Sequence, residues 1–299
     1  MSTGTKVAIF LVGLGIVFAA ALGIGNAVGP VADEPVAHDD EHGAGSGDSD
    51  EHGEGHGGDT ETAAEIPGGL MVSQDGYTLR LADDAVATGR DVPLSFTIDG
   101  PDGHPVTEYD VEHEKQLHLI VVRRDFSGFQ HVHPERDADG VWTTDLDLTP
   151  GEWRVFADFK ATGAEALTLG TDLAVSGDYR PEPPATETRT ARVDGYTVTL
   201  EGDLTAGSDA ELTLEVVKDG RPVTTETYLG ASGHLVALRE GDLAYLHVHP
   251  EPGSDLRFNV AVPSEGGYRL FLDFQHEGVV RTAEFALTTG PSEASHDDH

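Results

Sequence analysis

From Asp75 onward, apolar and polar positions alternate with period 2 in short runs rich in Val, Leu, Thr and aromatics, and no helical period persists. The runs near 77–82, 93–98, 105–109, 116–124, 129–133, 140–148, 151–160 and 166–175 predict strands. Gly, Pro, Asn or Asp turns fall between most of them. Seven or eight short strands in about 100 residues predict an antiparallel β-sandwich of immunoglobulin-like or cupredoxin-like type.

The pattern then repeats. DGYTLRL at Asp75 matches DGYTVTL at Asp194, and DGHPVTEY at Asp102 matches DGRPVTTETY at Asp219. LHLIVVRRDFSGFQHVHPE from Leu117 matches GHLVALREGDLAYLHVHPE from Gly233, and PGEWRVFADF from Pro150 matches GGYRLFLDF from Gly266. The chain is therefore expected to be all-β, with two tandem sandwich domains over 68–178 and 191–290. Residues 179–190, within DYRPEPPATETRT, read as a semi-rigid Pro-rich linker.

The ends follow different rules. Val7 to Gly25 is an unbroken apolar run of transmembrane length, preceded by Lys6 and followed by no Lys or Arg until Arg80. Residues 1–28 thus read as a single-pass anchor with a cytoplasmic N-terminus and the bulk of the chain outside. The rival is a cleaved signal segment and a secreted product, with Gly25 to Ala27 as a weak cleavage site. Residues 29–67 are acidic, Gly-rich, nearly devoid of apolar side chains, and expected to be disordered. This linker carries His38, His42, His52 and His56, and the tail over 291–299 carries His296 and His299. Either these tails are solvated tethers or they collect metal weakly.

Composition narrows the chemistry. The net charge of −36, from 54 acidic against 18 basic residues, disfavours nucleic acid and anionic lipid as partners and favours cations. With no cysteine, disulfides, thiolate metal sites and iron–sulfur clusters are excluded. Met1 and Met71 are the only methionines, which argues against thioether sites for Cu(I). A metal here would be held by imidazole and carboxylate.

Such a set is present twice. His131 and His133 lie two apart on a predicted strand and so share a face. The turn character of RRDFSG places positions 131 to 133 opposite about 119 to 121, which brings His118 within about one residue of His133. His234, His247 and His249 repeat the spacing, although the letters around them have changed. Asp158 in WRVFADF and Asp273 in YRLFLDF are a fourth matched pair. Trp153, Val155, Ala157 and Phe159 share one face, so Asp158 looks the other way, as a fourth ligand, as an acceptor fixing a histidine tautomer, or as a structural carboxylate. His104, His113 and His276 have no counterparts and read as surface residues, with His113 near enough to His118 to join the first site.

At HLIVVRRDFSGFQHVHP the chain resembles exported, membrane-anchored bacterial proteins associated with heavy-metal, particularly copper, handling. Their immunoglobulin-like units carry a His-Leu-x-Val-Val…Phe-x-His-x-His-Pro signature. The resemblance implies copper at His118, His131 and His133, and at His234, His247 and His249. Three imidazoles suit Cu(II) and Zn(II), and the Irving–Williams order favours copper. The expected function is extracytoplasmic binding, sequestration or presentation of that ion, with a metal-transport partner left unidentified. The alternative is a cell-surface interaction module with structural histidines. No Ser–His pattern or unpaired Glu stands out, so an enzyme is not expected.

Overall fold

The computed structural model describes residues 66–246, 248–250 and 256–290, with the backbone alone for His249. The apolar N-terminal run, the acidic linker, His247 and the terminal tail lie outside these residues. Every regular element among the described residues is a strand.

The first sandwich contains β1 (Ser73–Gln74), β2 (Tyr77–Leu81), β3 (Ala85–Ala87), β4 (Gly89–Asp99), β5 (Leu117–Arg123), β6 (Gln130–Val132), β7 (Glu135–Arg136), β8 (Trp142–Leu148), β9 (Gly151–Phe159) and β10 (Leu167–Ser176). They form sheets in the orders β1-β2-β4-β8-β7 and β3-β10-β9-β5-β6. Only β3 runs parallel to its neighbour, β10. This is the A-B-E-D and G-F-C order of an immunoglobulin-like sandwich, with one extra short edge strand, β1, on the first sheet and two, β3 and β6, on the second.

The second sandwich repeats it with β11 (Thr190–Val193), β12 (Tyr196–Glu201), β13 (Ser208–Lys218), β14 (Arg221–Pro222), β15 (His234–Arg239), β16 (Tyr245–Leu246), β17 (Val248–Pro250), β18 (Arg257–Val262), β19 (Gly267–His276) and β20 (Val279–Thr288). Its sheets are β11-β12-β13-β18-β17, with β14 on β13, and β16-β15-β19-β20.

The strand expected over 105–109 is absent. The segment crosses from one sheet to the other, bridging Asp99 at Pro105 and Ala161 at Tyr109, and so pairs continuously with neither. The short strands β1, β3 and β7 give too few residues for a period to register.

Alternation decides most of the packing. In β8, Trp142, Leu146 and Leu148 turn inward while Thr143 and Asp145 face solvent. Strand β5 does not alternate; all seven of its residues are buried. Leu117, Leu119 and Val121 enter the core of their own sandwich. Ile120 and Val122, on the other face, join Phe126, Phe156, Val236, Leu238, Leu243 and Phe271 in a third apolar cluster. That cluster is the seam between the sandwiches, which belong to one compact unit. Each fully buried side chain there contributes roughly 1.5–3 kcal/mol relative to exposure.

The seam is self-complementary. Phe129 of the first repeat stacks on Phe271 of the second, with centroids 4.1 Å apart and planes at 5°. Phe129 aligns with Tyr245, and Phe156 with Phe271, in the repeat. The reciprocal pair also meets, Phe156 with Tyr245, at 5.7 Å. Residue i of one repeat thus touches j of the other and the reverse, the signature of a two-fold interface built within one chain.

A strap ahead of β1 ties both halves. Gly69 N–H donates to Thr168 O, Gly170 N–H to Met71 O, and Tyr245 N–H to Gly68 O. Buried Arg154 donates to Gly69 O at 2.5 Å and to Leu70 O at 3.1 Å. A Cβ at Gly170 would stand 2.0 Å from Gly69 O. Gly170→Ala is therefore expected to push the strap off and cost about 1–3 kcal/mol, read as a lower urea midpoint. An unchanged midpoint would contradict this packing.

Candidate functional site at the seam between the repeats

The β5–β6 hairpin brings the first triad together. Leu119 pairs with Val132, Ile120 with His131 and Val121 with Gln130, so the same register carried one step further sets His133 opposite His118. Phe126, with φ 66°, turns the loop by donating its N–H to Arg123 O at 2.7 Å. His118 on β5 and His131 on β6 lie on the sheet face that carries Ile120, which looks onto the second sandwich.

His118 Nδ1 is 3.1 Å from His131 Nε2 and 3.2 Å from His133 Nε2. One nitrogen from each ring falls within a 4.8 Å cluster. Nitrogens bound at 2.0–2.1 Å lie about 3.3 Å apart in a tetrahedral site and about 2.9 Å apart at square-planar angles. The observed spacings fall between the two.

The outer nitrogens are already committed. His118 Nε2–H donates to Glu112 O at 3.2 Å, and that carbonyl can only accept. His131 Nδ1–H donates to Asp273 Oδ2 at 2.8 Å, again an acceptor, with both side chains almost fully buried. In neutral rings this leaves His118 Nδ1 and His131 Nε2 as two bare lone pairs facing one another. His133 Nε2–H, 3.2 Å from His118 Nδ1, meets one of them as a neutral donor, and a metal ion would meet both.

Burial, reinforced by the neighbouring His131, pushes His118 from 6.5 down to about 3. Burial, with His131 and His118 close by, takes His133 to about 3 as well. Because the folded values lie below the unfolded one, the unfolded chain binds protons that the fold refuses. The stability from these neutral histidines is complete above about pH 6.5 and is lost as pH falls toward 3. The slope is at most about 1.4 kcal/mol per pH unit for each, less for half-buried His133. Urea midpoints of metal-free protein should fall between pH 7 and 5, and the fall should shrink in His118→Gln/His133→Gln. An equal fall in the variant would refute the assignment.

The carboxylate that meets this triad belongs to the other repeat. Asp273 sits opposite His234 in its own sheet, accepts from Thr282 Oγ1 at 2.6 Å through Oδ1, and reaches across the seam with Oδ2. It thereby fixes the tautomer of His131, whereas the sequence pairs each aspartate with its own repeat. Asp158 faces His118 across β5 and β9, accepts from Thr168 Oγ1 at 2.8 Å, and lines the same cavity as His118, His131 and His234.

The second repeat is arranged differently. His234 repeats the anchoring of His118, its Nε2–H donating to Tyr228 O at 2.9 Å, again six residues upstream. Its ring lies 6.2 Å from His131 and 6.4 Å from His118. The chain crosses to the other sheet three residues earlier than in the first repeat: Val248 pairs with Val260 and His249 with Asn259. His247 lies outside the described residues, so His118, His131 and His133 are the triad assembled among those described. His104 is exposed, and His276 Nδ1 meets Tyr196 Oη at 2.8 Å, away from the site. The carbonyls of Glu112 and Tyr228 carry no sequence signal, since any residue supplies one.

One family model matches the chain twice, over residues 72–177 and 191–290, and is described as Domain of unknown function (DUF8832). The chain belongs to the DUF8832 family. The two matches coincide with the two sandwiches, so each sandwich is one DUF8832 unit, and the triad with Asp273 draws on both. No curated protein matches the chain. Among solved structures, it is similar to the Escherichia coli adhesin FdeC, with 16% identity over 73% of this chain and 65% of that one, and a TM-score of 0.25. A two-domain fibronectin type-III segment of chicken tenascin shares 11% over 71% and 97%, with a TM-score of 0.23. Invasin, a bacterial integrin-binding protein, shares 10% over 74% and 41%, also at 0.23. The chain thus spans less than two thirds of FdeC and of invasin. Likenesses this weak bear on no activity of the DUF8832 units.

Proposed function

We propose that this protein binds one divalent transition-metal ion, Cu(II) ahead of Zn(II), at His118, His131 and His133, and sequesters or presents it outside the cytoplasm. The observation that carries this reading is the convergence of three imidazole nitrogens, with His118 Nδ1 3.1 Å from His131 Nε2 and 3.2 Å from His133 Nε2, while the other nitrogens of His118 and His131 are held by acceptors. Neutral imidazoles of fixed tautomer are what a borderline metal ion selects, and the carboxylate behind His131 raises its basicity as a ligand. Copper stands first because nitrogen donors favour it in the Irving–Williams order, and the absence of cysteine keeps the set suited to the divalent state. Three ligands leave a coordination position open for water or for a receiving group. No nucleophile and base stand together at the triad, so holding the ion is the proposed role and not catalysis.

The burial of the triad favours a second reading, a surface interaction module whose histidines brace the seam between paired units. Equilibrium dialysis of the chelator-stripped full chain against Cu(II) and Zn(II) separates the two. Tight uptake of about one ion beyond what the terminal histidines hold supports the metal reading. Uptake confined to the weak class sinks it and leaves the interaction module.

A further inference from the structure

We infer that His113 and His234 form a capture subsite that passes the divalent ion between solvent and the triad; this rests on the metal reading above. The two residues come from different repeats, yet their ring centroids lie 5.4 Å apart. Within the triad the rings are 4.9, 5.0 and 5.3 Å apart. The His113–His234 pair therefore has the spacing of rings that converge on one ion.

It is also one step from the triad. His113 lies 6.1 Å from His118, and His234 lies 6.2 Å from His131. His113, His118, His131, His234 and Asp158 line a single cavity of about 70 Å³, which has room for a cation and a small number of waters. Exposure falls along it: His113 is exposed, His234 half-buried, and His118 is 7% exposed.

Local structure supports the role. His113 has φ 47°, a left-handed backbone uncommon outside glycine, at the tip of a turn closed by the Glu112–Lys115 bridge. That turn swings the ring over the cavity, where a surface histidine would otherwise point to solvent. His234 gives its Nε2–H to Tyr228 O, which in the neutral ring leaves Nδ1 unprotonated, the form a metal binds. Two dications this close repel each other, so the pair serves as a waypoint and not as a second store.

A waypoint changes both rates and leaves the equilibrium alone. The test is stopped-flow mixing of the chelator-stripped full chain with Cu(II), followed by ligand-field absorption, with a variant lacking the triad as background. His113→Asn retains a residue that tolerates the left-handed backbone, and His234→Gln keeps a donor for Tyr228 O. Each should slow loading and chelator-driven release about tenfold, while the triad Kd moves by less than about threefold. Unchanged rates with triad-dependent uptake overturn the subsite and leave the metal reading standing. Faster release with unchanged loading also overturns it, because the residues then act as supports. Absence of triad-dependent uptake in the unaltered protein overturns both.

Discussion

Replacing His118, His131 and His133 by alanine should abolish the tight class of Cu(II) or Zn(II) binding and leave only what the terminal histidines collect. The three nitrogens within 4.8 Å are the one such cluster among the described residues. Losing a single ligand should weaken binding beyond the roughly 10–100-fold typical of removing an outer hydrogen-bond partner. Equilibrium dialysis with metal analysis reads the first effect. Stability reads it independently, because an ion that binds only the folded chain adds about 2.7 kcal/mol at one hundred times its Kd. That increment should be present in the unaltered protein and missing from the triple variant. A triple variant that keeps both the tight uptake and the increment would place the metal elsewhere.

Phe271→Ala should be the most damaging single change at the seam, at about 3–5 kcal/mol. Phe271 is fully buried, stacks on Phe129 of the other repeat, and leaves a void that two rigid sheets cannot close. Its effect should also reach metal binding at the proposed site. Asp273 lies two residues on, on the same face of β19, and supplies the carboxylate that orients His131. Both Phe271→Ala and Asp273→Asn are expected to weaken Cu(II) binding, the latter by roughly 10–100-fold. Together they should fall short of additivity, because both act on metal binding through the orientation of His131. Isothermal titration on the two single variants and the double variant provides the cycle. Metal affinity that ignores both changes would show a site self-contained in the first repeat.

Much of this arrangement was legible before any coordinates. Thirteen residues separate His118 from His131, and a hairpin with an RRDFSG turn sets their register by local geometry alone. The ladder pairs Leu119 with Val132, one residue from the expectation. The inward face of β9 also follows from alternation, with Trp153, Val155, Ala157 and Phe159 in the core. The strand expected at 105–109 failed for a reason that is not local, because the ends of the segment bridge different sheets.

The crossing of the second HVHP segment was not legible. The same four residues occur in both repeats, yet His249 is carried into a ladder opposite Asn259 while His133 stays beside His118. The choice of sheet depends on where the following strand finds its partner, and the tetrapeptide holds no information about that.

Period, turn chemistry and ligand type are properties of contiguous residues, and they account for the strands, the two units and the three histidines of the first site. The seam is different in kind. LHLIVVR, with no polar alternation, says that both faces of β5 are buried but not what covers the outer one. Only the packing of one repeat on the other brings Phe271 onto Phe129, His234 toward His113, and Asp273 to the far nitrogen of His131. The residues involved stand as far as 142 positions apart, and their meeting depends on how two already folded surfaces fit.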